Sequence, residues 1–195
     1  MVADYGISAY LLSQHGALVN LYLPSRLSWR HNGRPVSLQQ STAYPLDSAI
    51  ELTLSTATPQ TFSITLRIPG WVGSDSAISV NGKRVQQPIV AGSWHEIRRT
   101  WNDGDRIELI LDAPLRLEMV DPQHPDLVAV MQGPLALFAL GDRLLPFTRR
   151  ELMSVRQVAA RSSEWRVVTA DGAQSFRPYY ALGFESTRLY QPVSA

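Results

Sequence analysis

A chain of 195 residues and 21.7 kDa suits one large domain or two modules of about 100 residues each, and either can enclose a core. A net charge of +1, with acidic and basic residues balanced between the two halves, argues against a nucleic-acid partner, and no apolar run approaches the ~18 residues of a membrane span. The sequence contains no cysteine, which excludes disulfide frameworks, thiolate nucleophiles and cysteine-based zinc sites.

The opening residues Met1–Tyr5 carry no arginine or lysine ahead of an apolar stretch, so no secretory signal is visible and a cytoplasmic location is expected. Tyr5–Ser13 reads as a short helix. From there apolar residues recur at every second position, as in Ile50, Leu52 and Leu54, Ile64, Leu66 and Ile68, and Ile107, Leu109 and Leu111, which is the spacing of strands with one wet face. This pattern predicts strands near Ala17–Leu23, Leu27–His31, Pro35–Gln40, Ala49–Ser55, Thr61–Ile68, Ala77–Val80, Ser93–Trp101 and Arg106–Leu111. Asn32-Gly33, Asn81-Gly82 and Asp171-Gly172 accept positive φ and predict three antiparallel hairpins.

A polar connector with two prolines is expected within Leu115–Asp126, giving modules at 1–118 and 119–195. Beyond it, strands are predicted at Leu127–Gln132, Leu135–Leu140, Glu164–Thr169, Gln174–Arg177 and Tyr180–Phe184, with a second short helix over Arg149–Ala160, where apolar residues fall at three-to-four spacing. The expected fold class is all-β: two antiparallel β-sandwich modules, the second smaller, with at most one or two short helices.

Few residues announce chemistry. Asp103 and Asp105 lie between two apolar strands and read as a turn, and Glu51, Glu96 and Glu108 alternate with apolar neighbours as a solvated strand face does. The histidines His15, His31, His95 and His124 do not share metal-ligand spacing. Asp121, His124 and Asp126 could meet a hard cation, but polar connector residues are the simpler reading, so no metal site and no cofactor is assigned. There is no Gly-x-Ser-x-Gly elbow and no phosphate loop.

Among the five tryptophans, Trp71 follows Pro69-Gly70 where a side chain can project from a loop, which makes it the candidate for stacking on a sugar; the alternative is an anchor folded over the end of the sandwich. Trp94 and Trp101 bracket a strand and are expected to pack against the core. Trp29 and Trp165 are expected in core or interface.

Five ordered segments go beyond generic strand pattern: Val19-Asn-Leu-Tyr-Leu-Pro-Ser25, Leu66-Arg-Ile-Pro-Gly-Trp71, Ile78-Ser-Val-Asn-Gly82, Arg99-Thr-Trp-Asn-Asp-Gly-Asp105 and Gln132-Gly-Pro-Leu135. In this order, with the closing Phe176-Arg-Pro-Tyr-Tyr180 and Tyr190, they resemble the C-terminal β-sandwich region of glycoside hydrolase family 127, the β-L-arabinofuranosidases. The resemblance implies that catalysis belongs to an N-terminal (α/α) barrel, where a zinc-bound cysteine attacks the sugar and a glutamate serves as acid/base. No catalytic residue is carried onto this sequence, because nothing here matches those positions and no thiolate is available.

The expectation is a non-catalytic region that supports a barrel, with Val2–Leu12 as the surface facing it. The alternatives are a carbohydrate-binding module using Trp71 and a self-standing glycosidase with its own carboxylate pair. Expected partners are a catalytic barrel, a carbohydrate or a second copy of the chain, with no nucleic acid and no membrane.

Overall fold

The computed structural model describes residues 8–142, 145–160 and 162–194. The strands are β1 (Tyr10–Ser13), β2 (Gly16–Val19), β3 (Ser25–His31), β4 (Arg34–Thr42), β5 (Ala49–Thr56), β6 (Gln60–Arg67), β7 (Ala77–Val80), β8 (Lys83–Arg84), β9 (Trp94–Trp101) and β10 (Arg106–Ile110). They continue as β11 (Leu115–Met119), β12 (Leu127–Gln132), β13 (Leu135–Leu140), β14 (Phe147–Thr148), β15 (Arg156–Gln157), β16 (Trp165–Thr169), β17 (Gly172–Pro178), β18 (Thr187–Arg188) and β19 (Tyr190–Ser194). A short helix, α1, spans Arg149–Leu152. The chain divides into two compact units between Asp112 and Ala113.

The first unit is a sandwich of a four-stranded sheet, β1-β2-β6-β9, and a six-stranded sheet, β3-β4-β5-β10-β7-β8. Its core follows from the alternation: Ile50, Leu52 and Leu54 of β5 and Phe62, Ile64 and Leu66 of β6 are buried, while Glu51 and Thr53 between them are only partly covered. The Trp29 and Phe62 rings meet edge to face across the sheets at 5.7 Å, and the buried Trp101 indole donates to the Phe62 carbonyl at 3.0 Å.

Turn chemistry sets the hairpins. Asn32 and Gly33, like Asn81 and Gly82, have positive φ in succession, the arrangement that matches the twist of flanking strands. At the third hairpin the two-residue loop is Ala170-Asp171, and Gly172, at φ 133°, already pairs with Thr169.

One pairing in this unit is parallel. β2 runs alongside β6 with Gly16 opposite Ser63, and the approach is so close that a Cβ at Gly16 would stand 1.9 Å from the Ser63 carbonyl oxygen. Only glycine fits there.

The second unit is built on one sheet in the order β14-β19-β12-β13-β17-β16-β15, with β11 added to β12, β18 to β13, and β14 parallel to β19. α1 packs against both β14 and β16, near the two ends of that order, so the sheet folds over it and encloses Phe147, Leu152, Val155 and Phe176. Thr148 caps α1: its Oγ1 accepts from the Glu151 amide, and the Glu151 carboxylate accepts from the Thr148 amide at 2.8 Å.

The all-β class with short helices matches the expectation, and several elements correct it. Tyr10–Ser13 is a strand, because its backbone pairs with β2; Tyr5–Ile7 fall outside the described residues. The second helix ends at Leu152 instead of Ala160, since Arg156 and Gln157 pair with β16. Leu115–Met119 belongs to the sheet rather than to a connector. Tyr179–Ala181 forms a 3-10 turn where a strand was predicted, immediately after Pro178 removes a backbone donor.

Candidate functional site

Two concavities on the first unit hold the candidate chemistry. The first, of about 430 Å³, is lined by Asn20, Arg67, Ile68, Pro69, Gly70, Gly92, Ser93 and Trp94. Its walls are the end of β6 and the start of β9, locked together by the Ile68 amide donating to Ser93 at 2.8 Å and the Gly92 amide donating to Pro69 at 3.2 Å. Asn20 closes the third side, with its backbone held by Ala9 and its side-chain amide donating to the Ser8 carbonyl at 2.9 Å. The second, of about 610 Å³, lies among Gly73, Ser76, Ile78 and the Arg84–Ile89 segment.

Trp71, the predicted sugar-stacking residue, is half-buried and packs against the sandwich core beside the first concavity. Trp94 overturns its expectation: it is 45% exposed, whereas Trp101 is fully buried. The reason is parity. An odd separation along a period-two strand puts the two rings on opposite faces of β9, and His95, Ile97 and Trp101 take the inner one. Trp29 and Trp165 are partly buried against the two cores, as expected.

The acidic residues weighed above have structural partners. Asp103 accepts from the Thr56 amide at 3.0 Å, and Asp105 accepts from the Asn102 amide and the Asn81 side chain, so this segment is a turn held by its own carboxylates. Glu51 and Glu108 oppose each other across β5 and β10, but Glu51 faces Arg106 at 4.0 Å and Glu108 accepts from Ser79, which leaves them on a solvated sheet face. Glu96 accepts from the Ser63 hydroxyl.

The histidines stay apart. His15 touches Gln14, His31 lies against the Phe62 ring, and His95 is buried with its Nε2 lacking a hydrogen-bond partner. His124 meets the Asp121 carboxylate at 2.9 Å, and that contact holds the Asp121 carboxyl below the usual range. Asp126 does not complete a site: among the described residues no group of three or more metal-ligating side chains is arranged to hold a cation. The donor set therefore does not fit the zinc that the resemblance associates with catalysis.

The model of the GH127 β-L-arabinofuranosidase middle domain matches residues 16–113. The chain belongs to glycoside hydrolase family 127. Among curated proteins, it is 30% identical over 112 residues to a non-reducing end β-L-arabinofuranosidase of Bifidobacterium longum subsp. longum, an alignment covering 53% of this chain and 17% of that one. Among solved structures, it superposes on a GH127 β-L-arabinofuranosidase from Geobacillus stearothermophilus T6 with a TM-score of 0.79 at 22% identity, over 98% of this chain and 36% of that one. A GH127 β-arabinofuranosidase gives a TM-score of 0.71 at 22% identity, covering 95% of this chain and 36% of its own length. The present chain thus spans about a third of these solved family members, which share its fold. No helix among its described residues is long and apolar enough to cross a membrane.

Proposed function

We propose that these residues form a non-catalytic β-sandwich region of a family 127 enzyme, acting in the cytoplasm to support a catalytic (α/α) barrel that they do not themselves contain. The observation that carries this reading is the position of the family match: it falls on the middle domain, in a chain corresponding to about a third of larger relatives. Two further facts support it. A sulfur nucleophile is impossible in a sequence without cysteine, and the carboxylates weighed above are bound into turns or spread over an open sheet face.

The surface offered to the barrel includes the end of Val2–Leu12. Residues 2–7 lie outside the described residues, but Leu11 and Leu12 are exposed on β1, at the edge of the four-stranded sheet. Such an edge also suits self-association.

The test is an assay of the purified chain, with zinc supplied, for sugar release from an aryl β-L-arabinofuranoside. No turnover above buffer is expected. Turnover that co-purifies with the chain and stops on chelation would overturn the reading.

A further inference from the structure

We propose that the concavity between Arg67 and Trp94 is a glycan-binding site that selects a sugar residue bearing a carboxylate. Its ligand binding does not depend on the supporting role proposed above.

Four observations converge. Trp94 is the exposed indole of the five, set on the outer face of β9 where its ring can lie against the C–H face of a sugar. Arg67 sits directly opposite it in the β6–β9 register, on the same outer face, so the two Cβ atoms are cross-strand neighbours. Among the described residues the Arg67 guanidinium has no carboxylate partner in an ion pair; its charge lowers the pKa of the Tyr22 and Tyr44 phenols against the larger effect of burial. A cavity of about 430 Å³ falls within the ~300–1,000 Å³ range of small-molecule pockets.

The chemistry follows from these groups. The planar guanidinium offers a two-pronged donor to a carboxylate, which a neutral pentose cannot use. The indole supplies an apolar platform, and the Asn20 side chain, its amide nitrogen committed to Ser8, offers its oxygen to a sugar hydroxyl. The platform is rigid, because the two strands and the Pro69–Gly70 and Gly92–Ser93 segments are tied by backbone hydrogen bonds.

The experiment titrates the whole chain, followed by tryptophan emission and calorimetry, with a galacturonic acid trisaccharide, a neutral arabinofuranose trisaccharide and sodium acetate. A saturable emission change with the uronic trisaccharide is expected, with no response to acetate and weaker binding of the neutral sugar. Trp94→Ala should abolish the emission change. Arg67→Gln should weaken the uronic ligand by about tenfold or more while leaving the neutral sugar within about twofold, since only the charged fork is lost. Both side chains are exposed, and unchanged melting temperatures would confirm that the variants fold; should Trp94→Ala fail to fold, the Arg67→Gln comparison decides. Absence of saturable binding, binding that survives Arg67→Gln unchanged, or an equal response to acetate would overturn the proposal.

Discussion

The Asn81 side chain donates to the Asp105 carboxylate at 2.8 Å and accepts from the Arg106 amide at 2.8 Å, tying the β7–β8 turn to the β9–β10 turn at one end of the sandwich. Asp105 is almost completely buried, and its other oxygen accepts from the Asn102 amide, with Arg99 at 3.9 Å. Removing the carboxylate breaks two charge-assisted hydrogen bonds at once and leaves a gap at a buried position, so Asp105→Ala is expected to cost about 2–4 kcal/mol in urea unfolding. Asn81→Gly keeps the positive φ and loses only the side-chain bonds, so its cost should be smaller, about 1–2 kcal/mol. Equal losses in the two variants would contradict this account.

Gly16→Ala places a methyl group against the Ser63 carbonyl, an obstacle of backbone that cannot rotate away. The β2–β6 ladder must then shift, at a cost of about 2–4 kcal/mol. A urea midpoint within error of the parent would show that β2 does not approach β6 this closely.

Stability should depend on His95. Burial holds this imidazole below its ordinary value, with a hydrogen bond to the Pro88 carbonyl partly opposing the effect. The unfolded chain therefore takes up the proton at a higher pH than the folded one. The contribution is complete above about pH 6.5 and declines as the pH falls below that toward the depressed native value. His95→Gln should flatten the fall in urea midpoint between about pH 7 and pH 5 relative to the parent. Parallel profiles would assign that fall to other groups.

In the second unit, Thr148→Ala removes one half of the α1 capping box and should cost about 1 kcal/mol, with faster amide exchange in α1 and β14. Exchange unchanged across Arg149–Leu152 would mean that packing of Leu152, not the cap, holds the helix in place.

What could be read in advance follows physical lines. Ile50, Leu52 and Leu54 face inward as their alternation predicts, and the Asn-Gly pairs turn where positive φ is required. Strands of two residues, such as Lys83–Arg84 or Thr187–Arg188, are too short to carry a period and owe their form to neighbours. The Arg149–Ala160 pattern does suit a helix, yet pairing of Arg156 with Arg166 on β16 claims its end. For the candidate site, Trp94 could have been placed correctly: its odd separation from Trp101 forbids both rings from entering the core. Its meeting with Arg67 depends on the β6–β9 register, which neither segment contains alone.

The parallel seam of β2 on β6 has a bearing on how the molecule assembles. β3, β4 and β5 all lie between these strands in sequence and belong to the opposite sheet, so the leading hairpin has no edge to join until β6 is in position. Its amides should be the last to gain protection during refolding, and the first to lose it under mild denaturant.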